Sequence, residues 1–451
     1  MKRGICRLVI SGGFASRTWV GRRAYATSAL KPVRGMHDVV GLEMQKRDHV
    51  LRIANALAAS YGFQPISTPI VELEAVFART LGEDSDVISK EMYTFEDRTG
   101  NKLVLRPEFT ASVARCLINK HYSIPKKVFY FGPAFRYERP QKGRRRQFHQ
   151  FGIEQFGTEH FLSDVHAMEM AVLLVEKLRI ENTMLEVNSL GDKETRMSYR
   201  RALEIYFSKY DKVLSSTSVE RLRRGSVLRI LDSKEEEDQV LVANAPEVTD
   251  YMTKASKERL DRVLEGLTAI GVRYRLNPRL VRGLDYYNDT CFELVDSSSG
   301  LALIAGGRYD ALVKQMGGRP TPGVGWAAGI ERLIDCVSDS LLKVARRPIG
   351  VVAVSEASEE VLDLIRRKSL SLAQELRKLG VPVVVDCMKS VAKQFRAASK
   401  ESCKWVIVVG AREVEREVIL LKDMDSGEER LTEFENVMAL VRDQNAASKN
   451  F

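Results

Sequence analysis

Lys127–Gly157 reads KVFYFGPAFRYERPQKGRRRQFHQFGIEQFG, and the rest of the chain takes its meaning from this stretch. Two alternating runs flank a segment holding Pro140, Lys142, Gly143, Arg144 and Arg145, so proline and glycine supply a loop between two long strands. Side chains alternate sides along a strand. Arg136 and Glu138 are therefore expected on one face of the first strand, and Phe148, Gln150, Gly152 and Glu154 on one face of the second. That second set is a flat ring, an amide, a gap and a carboxylate. Phe135 and Tyr137, with Phe151 and Ile153, fall on the opposite face, where a core can take them. A hairpin with a merely solvated polar face also satisfies this pattern.

What favours chemistry over solvation is the string itself. Phe135–Gly152, with its FRxERPQKGRxRxFHQ pattern, closely resembles motif 2 of the class II aminoacyl-tRNA synthetases in the form used by histidyl-tRNA synthetases. The resemblance extends from about Lys31 to Arg442. Upstream, a helical pattern from about Glu43 to Tyr61 has Leu51, Ile53, Ala54 and Leu57 on its apolar side. A turn and edge-type strand at Gly62–Pro69 follow, similar to motif 1, which forms the dimer interface in that family. Leu103–Leu105 reads as a short strand, and Arg106-Pro107-Glu108-Phe109-Thr110 opens a helix to about Asn119 with Thr110 as its cap. Glu108 and Thr110 either serve that helix end alone or, as the resemblance implies, hold the amino group of histidine. A carboxylate, being acceptor-only, suits an ammonium.

Downstream, RGLDYY (Arg282–Tyr287) and AGGRYD (Ala305–Asp310) resemble the two signatures peculiar to histidyl-tRNA synthetases, with a strand-like Thr290–Val295 between them. Gly323–Leu333 is a glycine-rich strand passing into a helix. Its spacing departs from the dinucleotide-binding GxGxxG and instead resembles motif 3, with Arg332 as the functional arginine.

Amino-acid activation brings two anions together while negative charge grows on phosphorus, so fixed cations are the appropriate tool. Arginine stays charged and grips phosphate with two N–H groups at once. The resemblance implies that Arg136 and Arg282 meet the α-phosphate side, with Gln150 beside them, and that Arg332 reaches the γ-phosphate. It places adenine between Phe148 and Arg332 with Glu138 near its amino edge, and Mg²⁺ on the remaining phosphate oxygens. No residue is expected as a resident metal ligand. Glu154 and Tyr287 would read the imidazole, and Gln150, Glu108, Thr110, Tyr286 and Tyr309 would complete the histidine pocket. Gln141, Lys142 and Arg144 would meet the acceptor end of tRNA(His). Arg145 stands where the family often has tyrosine, and reads either as a further phosphate contact or as surface charge.

Composition is consistent with this. At 451 residues and 44% apolar content the chain can bury sizeable cores, and no apolar run reaches the roughly 18 residues of a membrane span. The formal charge is +10, but Lys2, Arg3, Arg7, Arg17, Arg22 and Arg23 stand in the acid-free segment Met1–Tyr25, leaving +4 for the remainder. The segment has the composition of a mitochondrial transit peptide, with Arg23-Ala24-Tyr25 resembling a processing site. A disordered basic tail, a plastid-type leader or a second, leaderless cytosolic form is also compatible with it. Six dispersed cysteines without a CxxC pair argue against a zinc site or a disulfide framework and fit a reducing compartment.

The implied architecture is α+β: a class II synthetase catalytic domain on an antiparallel sheet, interrupted by a helical insertion, then a C-terminal α/β anticodon-binding domain. Boundaries are expected at 1–25 (leader), 26–193, 194–275 (insertion), 276–338, 339–347 (linker) and 348–451. The insertion reads equally as a solvated elaboration or as a grip on the tRNA acceptor arm. In the last domain Ile349–Val354, Val381–Val385, Trp405–Val409 and Val418–Leu421 read as strands, with Val361, Leu364, Ile365 and Leu376 along a helix between them. The expected activity is that of a homodimeric histidine–tRNA ligase. The alternative is a non-catalytic regulatory or accessory relative, against which stand Arg136, Arg282, Arg332, Glu108 and Glu154. A ligase for another amino acid is opposed by RGLDYY.

Overall fold

The hairpin forms inside a large sheet, with Lys126 opposite Phe156 at its open end and Phe135 opposite Gln147 near the loop. The computed structural model describes residues 30–81, 90–342, 347–354 and 358–447. The expected leader and part of the expected linker lie outside these residues. The chain divides into two units, residues up to 342 and residues from 343 onward.

In the first unit the strands are β1 (Gln64–Pro65), β2 (Val71–Leu73), β3 (Tyr93–Glu96), β4 (Lys102–Leu105), β5 (Lys126–Phe135), β6 (Gln147–Phe156), β7 (Thr183–Ser189), β8 (Tyr274–Leu276), β9 (Asn288–Asp296), β10 (Leu301–Arg308) and β11 (Gly323–Gly329). The helices are α1 (Gly41–Ser60), α2 (Glu74–Leu81), α3 (Thr110–Lys120), α4 (Leu162–Lys177), α5 (Lys193–Phe207), α6 (Ser216–Arg223), α7 (Glu236–Ala243), α8 (Lys254–Ala269), α9 (Leu312–Gln315) and α10 (Ile330–Cys336). Eight strands run in the order β1-β5-β6-β11-β10-β9-β7-β8, antiparallel except for the outermost pairs β1/β5 and β7/β8. The remaining three form a small sheet, β2-β4-β3.

Alternation gives the large sheet two different faces. One buries Phe151, Ile153, Trp326 and Ile304 against α1, α4, α8 and α10, through residues such as Val50, Leu174, Val263 and Leu333. On the other face a cross-strand row runs Glu186, Glu293, Ala305, Ala327, Gly152, Tyr130. Small side chains at its middle leave a floor, and α3 packs beside it through Val113 and Leu117, with Phe109 just before the helix.

Two details of the hairpin differ from the sequence reading. The first strand ends at Phe135: Arg136 N still bonds Arg146 O at 2.9 Å, but Tyr137 N turns to Glu91 O at 2.7 Å. Arg136 and Glu138 therefore lie beyond the strand. Tyr137 is 53% exposed, outside the core, with the Arg146 guanidinium 3.8 Å from its ring centroid. Thr110 is not the helix cap. Phe109 occupies that position and Thr110 is the first residue of α3.

Within the expected insertion, Tyr199, Leu203, Phe207, Ile230 and Val248 build a separate small core. Helix α8 behaves differently, since Val263 and Leu267 join the core of the large sheet. The first and last long helices are tied at their starts. Asp192 accepts from Thr195 N (2.8 Å) and the Thr253 hydroxyl (2.6 Å), while Thr253 caps α8 through Ser256 N.

The second unit holds β12 (Ile349–Ala353), α11 (Glu359–Lys378), β13 (Val383–Val385), α12 (Val391–Lys400), β14 (Trp405–Val409), α13 (Ala411–Glu415), β15 (Ile419–Asp423), β16 (Glu429–Thr432) and α14 (Phe434–Ala447). Its sheet order is β13-β12-β14-β15-β16. Helix α11 buries Ile365, Ser369, Leu372 and Leu376, one side at helical spacing, which turns Leu364 outward at 52% exposure.

Candidate active site

Glu108 is fixed by the turn that precedes α3. Arg106, 3% exposed, donates to Thr68 O (2.7 Å) and Pro133 O (2.9 Å), and its guanidinium lies 3.7 Å from the Phe109 ring centroid. Gly132 permits this, because a Cβ there would stand 2.6 Å from Arg106 Nη2. The Glu108 carboxylate accepts from Thr110 N (2.6 Å) and Ala111 N (2.9 Å), so it satisfies donors at the start of α3. Burial raises its pKa, against the lowering effect of those two N–H groups.

Glu154 is the centre of a second cluster. It is 1% exposed and accepts from the hydroxyls of Thr110 (2.7 Å), Tyr130 (3.1 Å) and Tyr309. Burial pushes its carboxyl up to about 8, although the three hydroxyls work in the opposite direction. Gly325, opposite it on β11, leaves room for the carboxylate that any Cβ would occupy.

The three arginines, distant in sequence, meet at one place. Arg136, Arg282 and Arg332 line a single cavity of about 210 Å³. Glu108, Thr110, Gln150, Tyr286 and Tyr287 share that lining, and Ala302, Ala305, Ala327 and Gly329 form its small-residue floor. Two buried polar atoms here have no protein partner among the described residues: Gln150 Oε1, an acceptor, and Arg282 Nε, a donor. Such groups are costly to bury unpaired, so inside a cavity they are available to a ligand or to water.

Other expected residues stand around this cavity. Glu154 and Tyr309 lie behind its wall, linked to it through the Thr110 hydroxyl. Arg136 lies 5.4 Å from the Phe148 ring centroid and 3.9 Å from the Glu138 carboxylate, which also pairs with Arg144 at 3.3 Å. Phe148 and Glu138 are not in the cavity lining itself. Arg332 donates to Gly143 O (3.0 Å) and Ala302 O (2.6 Å), connecting the hairpin loop to β10. Lys142 lines a neighbouring cavity of about 670 Å³ together with Gly143 and Arg332. Arg145 pairs with Glu43 of α1 at 2.9 Å, tethering the loop.

Several contributors escaped the sequence reading. Tyr130 looked like any strand aromatic; its position opposite Gly152 is what aims it at Glu154. Glu293 lines the cavity and pairs with Arg282. The available signal was a lone carboxylate inside the apolar run Thr290–Val295. His149 and Glu331 were also missed. Glu331 accepts from His149 N (2.9 Å) and contacts its Nδ1 (2.8 Å), joining β6 to the helix that carries Arg332.

The geometry agrees with comparisons against known proteins. A family model described as histidyl-tRNA synthetase matches residues 35–333, and one described as anticodon binding domain matches residues 349–444. A histidine–tRNA ligase of Wolbachia sp. subsp. Brugia malayi is 42% identical over 409 residues, covering 90% of this chain and 97% of its own. One from Rhodospirillum rubrum is 44% identical over 407 residues, covering 89% and 96%. Among solved structures, the apo histidyl-tRNA synthetase of S. aureus superimposes with a TM-score of 0.72 at 29% identity, over 92% of this chain and 99% of that one.

Proposed function

This chain belongs to the histidyl-tRNA synthetase family, and on that footing we propose that its cavity is where L-histidine and ATP react. The histidine carboxylate attacks the α-phosphate of ATP, pyrophosphate leaves, and the histidyl group then passes from the adenylate to the 3′ end of tRNA(His). The observation that carries this is the convergence of Arg136, Arg282 and Arg332 on one cavity beside Glu108. Arg136 and Arg282 stabilise the charge that grows on phosphorus, and Arg332 meets the γ-phosphate. Glu108 takes the ammonium, and Gln150 turns an unpaired carbonyl toward the substrate. Tyr287 on the cavity wall, with Glu154 reached through the Thr110 hydroxyl, reads the imidazole, polar groups being what separates histidine from an apolar isostere.

Phe148 and Arg332 are proposed to bracket the adenine with Glu138 at its edge, and Gln141, Lys142 and Arg144 of the hairpin loop to contact tRNA. Mg²⁺ is taken to arrive on the nucleotide. The cavity carboxylates Glu108 and Glu293 are engaged by α3 and by Arg282. The residue 1–25 composition supports import into mitochondria. The motif-1-like stretch ending at Pro69 implies a homodimer, and the β2-β4-β3 sheet that directly follows it exposes apolar side chains that suit a second copy of the chain. A non-catalytic relative would have no reason to keep three arginines on one polar cavity.

Histidine-dependent ATP–pyrophosphate exchange by protein lacking residues 1–25 tests the reading. Glu154→Ala is expected to raise KM for histidine at least about 10-fold while ATP still binds, the scale of leaving buried hydroxyls without their hydrogen-bond partner. Exchange driven by another amino acid, or equal loss of ATP binding in the folded variant, would overturn it.

A further inference from the structure

Arg282 and Glu293 share a wall of the cavity, and their side chains are 14% and 23% exposed. Arg282 Nη1 donates to Glu293 Oε1. Neither Nε nor Nη2 of the same guanidinium has a hydrogen bond among the described residues, and Nε is fully buried. One corner of the guanidinium is therefore engaged, while the Nε–Nη2 edge, one of those that can grip a phosphate with two parallel bonds, is left over. The carboxylate is available for this because of its register. Glu293 stands directly across from Glu186, and Glu186 is already occupied by Arg275 and by Asn277 at 2.6 Å. Two opposed carboxylates repel, so each needs its own cation.

We infer that Glu293 is a positioning residue for the activation step: it holds one corner of Arg282 so that the opposite edge of the guanidinium faces the phosphorus. This rests on the reading above that Arg282 meets the α-phosphate. The arrangement has two opposed effects. Holding the guanidinium removes the need to orient it during reaction, which favours the transition state. Keeping a negative carboxylate on the wall of a cavity that receives a triphosphate weakens nucleotide binding. Glu293 thus trades ground-state affinity for rate, and the trade has a kinetic signature that simple structural support does not.

Steady-state ATP–pyrophosphate exchange separates the possibilities. For Glu293→Gln, kcat is expected to fall about tenfold or more, the effect of losing one charge-assisted bond in the transition state. KM for ATP is expected to fall about threefold or more, and KM for histidine to stay within about twofold. Glu293→Asp keeps the charge and shortens the reach, so it should lose kcat with KM for ATP unchanged. It also serves if the glutamine variant fails to fold, which a thermal melt reports. Wild-type kcat in either folded variant, or a raised KM for ATP in Glu293→Gln, would overturn the inference. Arg282→Ala is run beside them. If it retains wild-type exchange, the role given to Arg282 itself fails; if it abolishes exchange while the Glu293 variants behave as wild type, only the positioning role fails.

Discussion

Glu154 shows how one side chain can carry a pH dependence. Burial outweighs its three hydroxyl donors and raises the carboxyl from an ordinary 4.5 to about 8. Between those values the folded protein holds a proton that the unfolded chain releases. Its contribution to stability is therefore complete below about 4.5 and is lost as pH rises to about 8, by at most about 1.4 kcal/mol per pH unit. Melting temperatures at pH 6 and pH 8 check this: the wild type should lose more stability over that interval than Glu154→Gln. Equal losses would mean that Glu154 is already ionised at pH 6. At this scale the sequence revealed residue types better than their settings. Arg136, Arg282 and Arg332 could be picked out from their motifs. That Thr110 spends its hydroxyl on Glu154 rather than on capping depends on contacts 44 residues apart, which local pattern does not encode. Tyr137 leaves the face that alternation assigns it because the strand ends at Phe135 and its N–H turns to Glu91 O.

At the scale of elements, periodicity served well where one face is buried and poorly where neither is. The hairpin, β14 and the strand–helix passage at β11 and α10 lie where alternation and apolar runs put them. Strand β16 reads ERLT, mostly exposed, and offers no signal; it exists because β15 pairs with it. Helix α8 looked like the rest of the insertion, yet its apolar side serves the large sheet. The insertion's own small core has a polar organiser instead. Asp238, fully buried, accepts from Ser215 N (2.9 Å) and from the hydroxyls of Ser215, Ser218 and Ser233 at 2.7, 2.6 and 2.5 Å. Asp238→Ala strands four donors and is expected to destabilise this region by about 2–4 kcal/mol. Hydrogen exchange should accelerate across 211–251 while β5, β6 and β11 keep their protection. Uniform loss across the first unit would show that the insertion is not a separate cooperative element.

For the molecule as a whole, the decisive feature is an apolar face left exposed on the small sheet. In the β2-β4-β3 sheet Val71 and Tyr93 both stand opposite Leu105, and Leu73 and Phe95 opposite Leu103, so these six side chains share a face. Val71, Leu73 and Phe95 are 41%, 52% and 43% exposed. On the reverse face Val104 is at 0% exposure and Glu72 pairs with Arg115 at 2.8 Å. An exposed apolar face on one side of a sheet suits an interaction surface, and a second copy is the occupant proposed above. The face lies close to the catalytic apparatus in the chain: β4 leads directly into Arg106 and Glu108, and Tyr93 meets Tyr137 edge-on beyond the hairpin strand. Dimerisation should therefore support activity as well as bury surface. Leu73→Asp with Phe95→Asp places two charges on the face without touching the cavity lining. If two copies meet on this face, light scattering is expected to give the mass of one chain for the variant and of two for the unaltered protein, and exchange activity to fall at least about tenfold at the same concentration. A variant that keeps the double mass would mean that the two copies meet elsewhere. A folded monomer with full exchange activity would separate assembly from catalysis.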